Sequence, residues 1–411
     1  MKLLTKYLYI VIIVILFQLI SCKTVRSVDF ESPVDTSNKK ITLQQKKVYN
    51  IPKKNIFISN LFDGARLNGV EIMNDSTASL IIEPENTPIN PSPYYAFSTW
   101  SDTTKAFYFT FKYPKGYKHR YAPKIKENEN WAILDSSRIF VLDTIVTIKL
   151  QLSKKPITVA AQEIQSFKDV ENWYSSLIKN KQDIVNVRSA GKSKLGRNLP
   201  ILDIYKNSTK NKPIIVLLTR QHPPEVTGYY AFQHFLETIL NRSELSEQFL
   251  SKYRILAFPI MNPDGVDLGH WRHNAGGIDL NRDWSNYNQP EVKLVVKFIE
   301  KIVKKDDTKL LLGLDFHSTW YDVFYTNNER KNTALPNFID NWFKSLEQNI
   351  NNYKVNEQSA NSKKPVSKGW FLKAHNAVGI TYEIGDSTTK KDIQTIGKTS
   401  AEQMMQLLLN N

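Results

Sequence analysis

Two histidines and a glutamate stand where a metal ion could be held. His222-Pro223-Pro224-Glu225 sets an imidazole and a carboxylate three residues apart, and His317 supplies a second imidazole far along the chain. Zinc in a hydrolase commonly takes two imidazoles, one carboxylate and one open position for water, so the set fits one Zn2+ per chain. Metal binding acidifies that water and polarises a scissile carbonyl. A separate carboxylate must then move the protons, first as base and then as donor to the leaving amine. Glu383 is the candidate: it follows the apolar run Val378-Gly379-Ile380-Thr381-Tyr382. A charge there is costly unless it has a partner or a catalytic task.

The elements around these residues bring them to one place. Ile214-Ile215-Val216-Leu217-Leu218 reads as a buried strand ending at Thr219-Arg220, so His222 and Glu225 fall on a strand-to-helix turn. Open α/β sheets place their chemistry there. Leu310-Leu311-Leu312-Gly313-Leu314-Asp315-Phe316 reads as a second apolar strand ending at His317. If the two are parallel neighbours, the three side chains meet at one sheet edge. Tyr382, adjacent to Glu383 on a strand, should point the opposite way.

One His-x-x-Glu pair arises often by chance, so the segments between and beyond carry weight. They read Asn262-Pro263-Asp264-Gly265-Val266, then Trp271-Arg272-His273-Asn274, then Gly277-Ile278-Asp279-Leu280-Asn281-Arg282. Asp315-Phe316-His317-Ser318 and Thr381-Tyr382-Glu383-Ile384-Gly385 follow. In this order the motifs resemble the zinc metallocarboxypeptidase family of carboxypeptidase A-like fold, over about residues 165–408. The Asn262–Val266 and Gly277–Arg282 stretches are most similar to the cytosolic carboxypeptidase (deglutamylase-like) branch and its bacterial relatives.

The resemblance implies roles for the middle segment. Arg282, with Asn281 beside it, is similar to the arginine that clamps the substrate's terminal carboxylate. A guanidinium suits that task through two parallel hydrogen bonds. Arg272 is similar to the arginine that stabilises the tetrahedral oxyanion, and Asp279 to the acid that orients the first zinc histidine. Relatives usually carry a mobile, substrate-capping tyrosine upstream of the catalytic glutamate. Here Trp370 or Phe371 stands at about that place, and the role stays unassigned.

Other features compete poorly. His234 falls on the helix after the motif, and His119, His270, His273 and His375 lie in polar or loop contexts. Gly191-Lys192-Ser193 resembles a phosphate-binding loop, but Asn186 stands where the upstream glycine is required.

The N-terminus speaks to location. Lys2 and Lys6 precede an apolar run from Tyr7 to Ile20, too short for a comfortable span and suited to a signal-peptide core. Leu19-Ile20-Ser21-Cys22 resembles the bacterial lipobox, and Cys22 is the single cysteine of the chain. The expectation is a lipoprotein signal peptide over 1–21 and a protein exported to the bacterial cell envelope, anchored in membrane lipid through Cys22. No cysteine pair remains for a disulfide. Removing residues 1–21 takes two lysines and no acids, lowering the net charge from +15 to +13. The lysines are dispersed rather than gathered into a stripe, which with export argues against nucleic acid as a partner.

A flexible tether is expected over the polar residues 22–50. Short alternating runs such as Lys105–Phe111 and Thr144–Leu150, separated by turn residues, predict a β-sandwich domain over 51–160. Alternating helices and strands then predict an α/β sandwich with a mixed central sheet, the catalytic domain over 165–408. The expected activity is zinc-dependent hydrolysis of the C-terminal bond of peptides with a free terminal carboxylate. Two alternatives stand beside it: a carboxypeptidase or amidase of the same fold acting on peptidoglycan stem peptides, and an inactive peptide-binding module. The second would require a lost ligand or base, and none is lost.

Overall fold

The computed structural model describes residues 25–128 and 130–410. The signal-peptide and lipidation expectations, on residues 1–21 and Cys22, lie outside the described residues. No helix among the described residues is long and apolar enough to cross a membrane.

The described residues form three sheets. Two face each other as a sandwich between Val48 and Ala160. One holds six strands, in the order Val48–Ile51, Ile56–Ser59, Ala96–Ser101, Ile157–Ala160, Lys124–Glu127, Asn130–Ile133. The other holds five, in the order Gly69–Asn74, Thr77–Ile81, Lys105–Lys112, Ile145–Leu152, Ile139–Leu142. Period-two alternation builds the core between them: Phe107, Phe109 and Phe111 turn inward along one strand, Val146, Ile148, Leu150 and Leu152 along its neighbour. Trp271, from the other half of the molecule, is buried in this same core.

The third sheet has eight strands, in the order Val185–Lys192, Asn198–Ile204, Arg254–Phe258, Ile214–Thr219, Leu310–Thr319, Val378–Gly385, Val323–Thr326, Glu357–Ser359. Its centre is parallel: Ile214–Thr219 pairs with Arg254–Phe258 and Leu310–Thr319, and Leu310–Thr319 with Val378–Gly385. These strands are continuously apolar because both faces are covered. Ile215 and Leu217 join the core under the helices Val226–Ile239, Phe338–Asn349 and Lys390–Leu409. Ile214, Val216 and Leu218 join the opposite core, under Pro290–Lys305 and Ser367–His375. The result is an α/β sandwich with a mixed sheet, preceded by a β-rich unit.

Several elements were not legible beforehand. The closing helix runs over Lys390–Leu409. Its first turns are polar and contain Gly397, which reads as a breaker. In the fold a Cβ at Gly397 would lie 2.8 Å from the Ala231 carbonyl oxygen, so the glycine permits a close helix–helix approach. The strands Val323–Thr326 and Glu357–Ser359 are too short to show a period, and Ser367–His375 mixes charged and aromatic residues around a glycine.

Residues 25–47 differ from the flexible tether that their composition suggests. They run as an irregular strap over the α/β unit and onto the sandwich. Val28 N donates to Ser285 O (3.1 Å), Ser32 N to Lys363 O (2.9 Å), Lys39 N to Gly276 O (2.8 Å) and Thr42 N to Glu85 O (2.7 Å). Phe30 is buried, and the Thr36 hydroxyl donates to Asp283. Polar side chains in this stretch make specific contacts, a use that composition does not distinguish from solvation.

Candidate active site

The parallel pair at the centre of the sheet sets the first half of the site. Across the two strands His317 lies directly beside Glu383, so both project from one face at the carboxyl ends. The neighbouring strand Ile214–Thr219 ends in Arg220, whose φ of 58° is left-handed, and the chain swings into the turn that presents His222. The helix Val226–Ile239 begins immediately after Glu225. Its first turn is pressed onto the His317 strand: Gly228 N and the Thr227 hydroxyl each meet Ser318 Oγ at 2.8 Å. A Cβ on Gly228 would come within 2.1 Å of His317 O, so only glycine allows this contact.

The three candidate ligands lie together. His222 Nδ1 lies 2.8 Å from Glu225 Oε1, His317 Nδ1 2.6 Å from Glu225 Oε2, and the two Nδ1 atoms 3.2 Å apart. His222, Glu225 and His317 are a group able to hold a metal ion, with ligand atoms all within 4.8 Å of one another. The opposite ring nitrogens are occupied. His222 Nε2 is 2.9 Å from Asp279 Oδ1, and His317 Nε2 is 2.9 Å from Asp315 Oδ2. A carboxylate on Nε2 fixes the tautomer that leaves the Nδ1 lone pair for a metal. The donor set therefore fits zinc. Asp315 is itself held by Gln221 Nε2 and the Ser367 hydroxyl. Its support of His317 was not anticipated, although residues two apart on a strand share a face.

Electrostatics follow from burial and neighbours. Burial raises the Glu225 carboxyl, but the two imidazoles outweigh it and hold the group well below the carboxylate range. Glu383 goes the other way. Burial, then the Glu225 charge, push it up to about 8 against the pull of His317 and Arg272. Its Oε2 is buried without a hydrogen-bond partner, an orphan that a water or substrate could satisfy. A bound dication would stabilise the Glu383 carboxylate and draw its pKa back down.

The second half of the site comes from the segment 271–282. Arg272 Nε donates to Asp279 Oδ2 (2.8 Å), so Asp279 links His222 to Arg272. Asn281 Oδ1 accepts from Ser367 N (2.9 Å), and its Nδ2 lies 3.4 Å from His317 Nε2. Arg282 donates to Asn281 O (2.6 Å) and keeps about a quarter of its side chain exposed to the cavity. Arg272, Asn281, Arg282, the trio and Glu383 line one cavity of about 690 Å³. Arg120 and the stretch Asn90–Ser92, from the sandwich, line it too.

Trp370 and Phe371 are fully buried and do not reach the cavity wall, whereas Tyr325 lines it. Tyr325 sits on one of the short strands that showed no period. Tyr382 points away, its hydroxyl 2.8 Å from Ser400 Oγ. His273 is engaged by Asn86 and His234 by Glu237, and neither joins the trio.

Such a geometry is fit for hydrolysis by a metal-activated water. Residues 170–404 match the family described as zinc carboxypeptidase, and the chain belongs to that family. It is 31% identical over 130 residues to Cytosolic carboxypeptidase 3 of Bos taurus, covering 31% of this chain and 13% of the relative. It is 27% identical over 167 residues to Cytosolic carboxypeptidase 6 of Mus musculus, covering 38% and 31%. The chain thus spans less than a third of the length of these curated relatives. Among solved structures it is similar to a metallo-carboxypeptidase from Burkholderia cenocepacia (TM-score 0.71, 16% identity, 86% of this chain and 99% of that one). A metallo-carboxypeptidase from Pseudomonas aeruginosa, in complex with (2-guanidinoethylmercapto)succinic acid, has a TM-score of 0.65 at 17% identity, over 85% and 98%. At these identities the likeness shows the fold.

Proposed function

We propose that the protein is a carboxypeptidase that removes single residues from the free C-terminus of peptides. The observation that carries this reading is the shared cavity, in which the His222–Glu225–His317 trio, Glu383, Arg272 and Arg282 face one space. Zinc held by the trio supplies a water of lowered pKa and a Lewis acid for the carbonyl. Glu383 takes the proton of the attacking water and returns it to the leaving amine, with its unpartnered Oε2 placed for that exchange. Arg272 offers its remaining N–H groups to the oxygen that becomes negative. Arg282 and Asn281 receive the terminal carboxylate, which separates exopeptidase from endopeptidase.

The cavity wall also carries Arg120, Lys363, Lys364 and Lys368. Burial lowers Lys368 to about 8, and its ammonium donates to the carbonyl groups of Thr326 and Ala360. A cation still charged near neutrality and bonded to neutral groups favours an acidic terminal side chain. Cys22 is the proposed lipid anchor on the envelope, to be tested by fatty-acid labelling of wild type against Cys22→Ala. The decisive assay is release of single residues from a peptide mixture with and without chelator, beside the same peptides amidated at the C-terminus. Internal cleavage of amidated peptides at a comparable rate would remove the carboxypeptidase reading.

A further inference from the structure

The segment that carries Arg272 has no sheet partner. Between the short helix Pro263–Asp267 and Leu280 the chain is irregular, and its backbone donors must find acceptors elsewhere. Three consecutive donors find the same one. Trp271 N donates to Glu85 Oε2 (2.8 Å), and Arg272 N (3.0 Å) and His273 N (2.6 Å) donate to Glu85 Oε1. Glu85 belongs to the sandwich unit and is completely buried. Successive N–H groups turned to one side form a concavity that favours an anion, and here a side-chain carboxylate fills it.

The surroundings make the fixing two-sided. The Trp271 indole is sunk in the sandwich core, edge-on to Tyr117 at 5.2 Å. Asn86, the next residue, lies 2.6 Å from His273 Nδ1 through its Oδ1 and donates through Nδ2 to Gly277 O (3.0 Å). Gly277 has a φ of 72°, and a Cβ there would meet Asn86 Nδ2 at 2.6 Å. Burial works against the Glu85 charge, yet His270, Arg66, His273 and the His273 backbone N–H outweigh it and hold the carboxyl below its usual value. Between the two anchored neighbours, Trp271 and His273, only the Arg272 side chain leaves toward the cavity.

We propose that Glu85 is a positioning residue for catalysis: by gripping the 271–273 backbone it sets where the Arg272 guanidinium stands, so the sandwich is part of the active site. This rests on the proposed oxyanion role of Arg272. Misplacing a catalytic group by about 1 Å can cost on the order of 100-fold in rate.

The test is a double-mutant cycle in the full zinc-loaded protein, with Glu85→Ala and Arg272→Ala alone and together. Glu85→Ala should lower kcat at least about tenfold, change KM less than about twofold and leave zinc content intact. Glu85→Gln should recover part of the loss, because an amide oxygen can still accept from Arg272 N and His273 N. In the Arg272→Ala background, removing Glu85 should cost nothing further. Equal losses in both backgrounds would show a general structural role and overturn the proposal, as would an unchanged kcat in Glu85→Ala. If the alanine variant does not fold, the glutamine variant enters the same cycle. An Arg272→Ala enzyme of undiminished kcat would remove the oxyanion assignment itself, and the role of Glu85 with it.

Discussion

The two halves of the cavity are built by different means. The metal side uses strand ends: His317 and Glu383 are aligned by sheet register, and the His222–Glu225 turn is pressed onto them through Ser318. The arginine side is an irregular segment whose shape is imposed from outside, by Glu85 and Asn86 of the sandwich and by the strap through Lys39 and Thr36. Regular pairing positions a side chain with backbone bonds that any sequence can make. A loop can be held as firmly only if particular side chains are spent on its backbone. Substitutions on the metal side should therefore act on chemistry, and those on the loop side on geometry.

The largest effect tests the metal side. His317→Ala removes one of three protein ligands, so bound zinc and activity should both be lost on dialysis. Unchanged zinc by metal analysis would mean that the trio is not the site. Glu383→Gln should keep zinc and peptide binding and lose roughly 100-fold or more in kcat. Turnover close to wild type would move proton transfer elsewhere.

The loop side should respond by degrees. Arg282→Met should keep zinc and lose on the order of 10- to 100-fold in kcat/KM on free C-termini, the worth of a charged hydrogen-bond pair. The preference over amidated peptides should fall with it. If the preference survives, another group binds the carboxylate. The smallest effect concerns Asp283, which accepts from Thr36 of the strap and from Asn288 N and Gln289 N. Burial raises its carboxyl to about 6 despite these donors. A raised folded pKa means that its contribution is complete below about pH 4 and disappears as pH rises through about 6. Wild type should therefore gain stability relative to Asp283→Asn on going from pH 6.5 to 4, on the order of 1–3 kcal/mol. Parallel Tm curves for the two proteins over that range would remove Asp283 as the titrating group.

The same contrast explains what could be read beforehand. The metal side was legible because its signals are local: two apolar runs of strand length, one leading into the turn that carries His222 and Glu225, the other carrying His317. The roles proposed for Arg272, Asp279, Asn281 and Arg282 rest on resemblance, since a loop shows no period. Asp315 was within reach of the rule that alternate strand residues share a face. Glu85 was not. Its carboxylate binds backbone N–H groups 186 to 188 positions away, and backbone donors leave no mark on a sequence. The strap was misjudged for a related reason: polar composition is the same whether the groups face water or a neighbouring backbone.

Under the proposed lipid anchor, that strap would also limit travel. Val28 already pairs with Ser285, and Val25 packs at the edge of the core beneath the helix Pro290–Lys305. With lipid on Cys22, as proposed, the leash from Cys22 to Val25 is three residues, about 10 Å at full extension. So anchored, the enzyme would be a fixture of the surface that holds it, reaching only peptides that come within its own diameter. A Gly/Ser insertion between Lys23 and Thr24 should lengthen the leash and speed cleavage of peptides tethered farther out, without changing rates on free ones. Equal rates on distant tethered peptides before and after insertion would show that the leash does not govern reach.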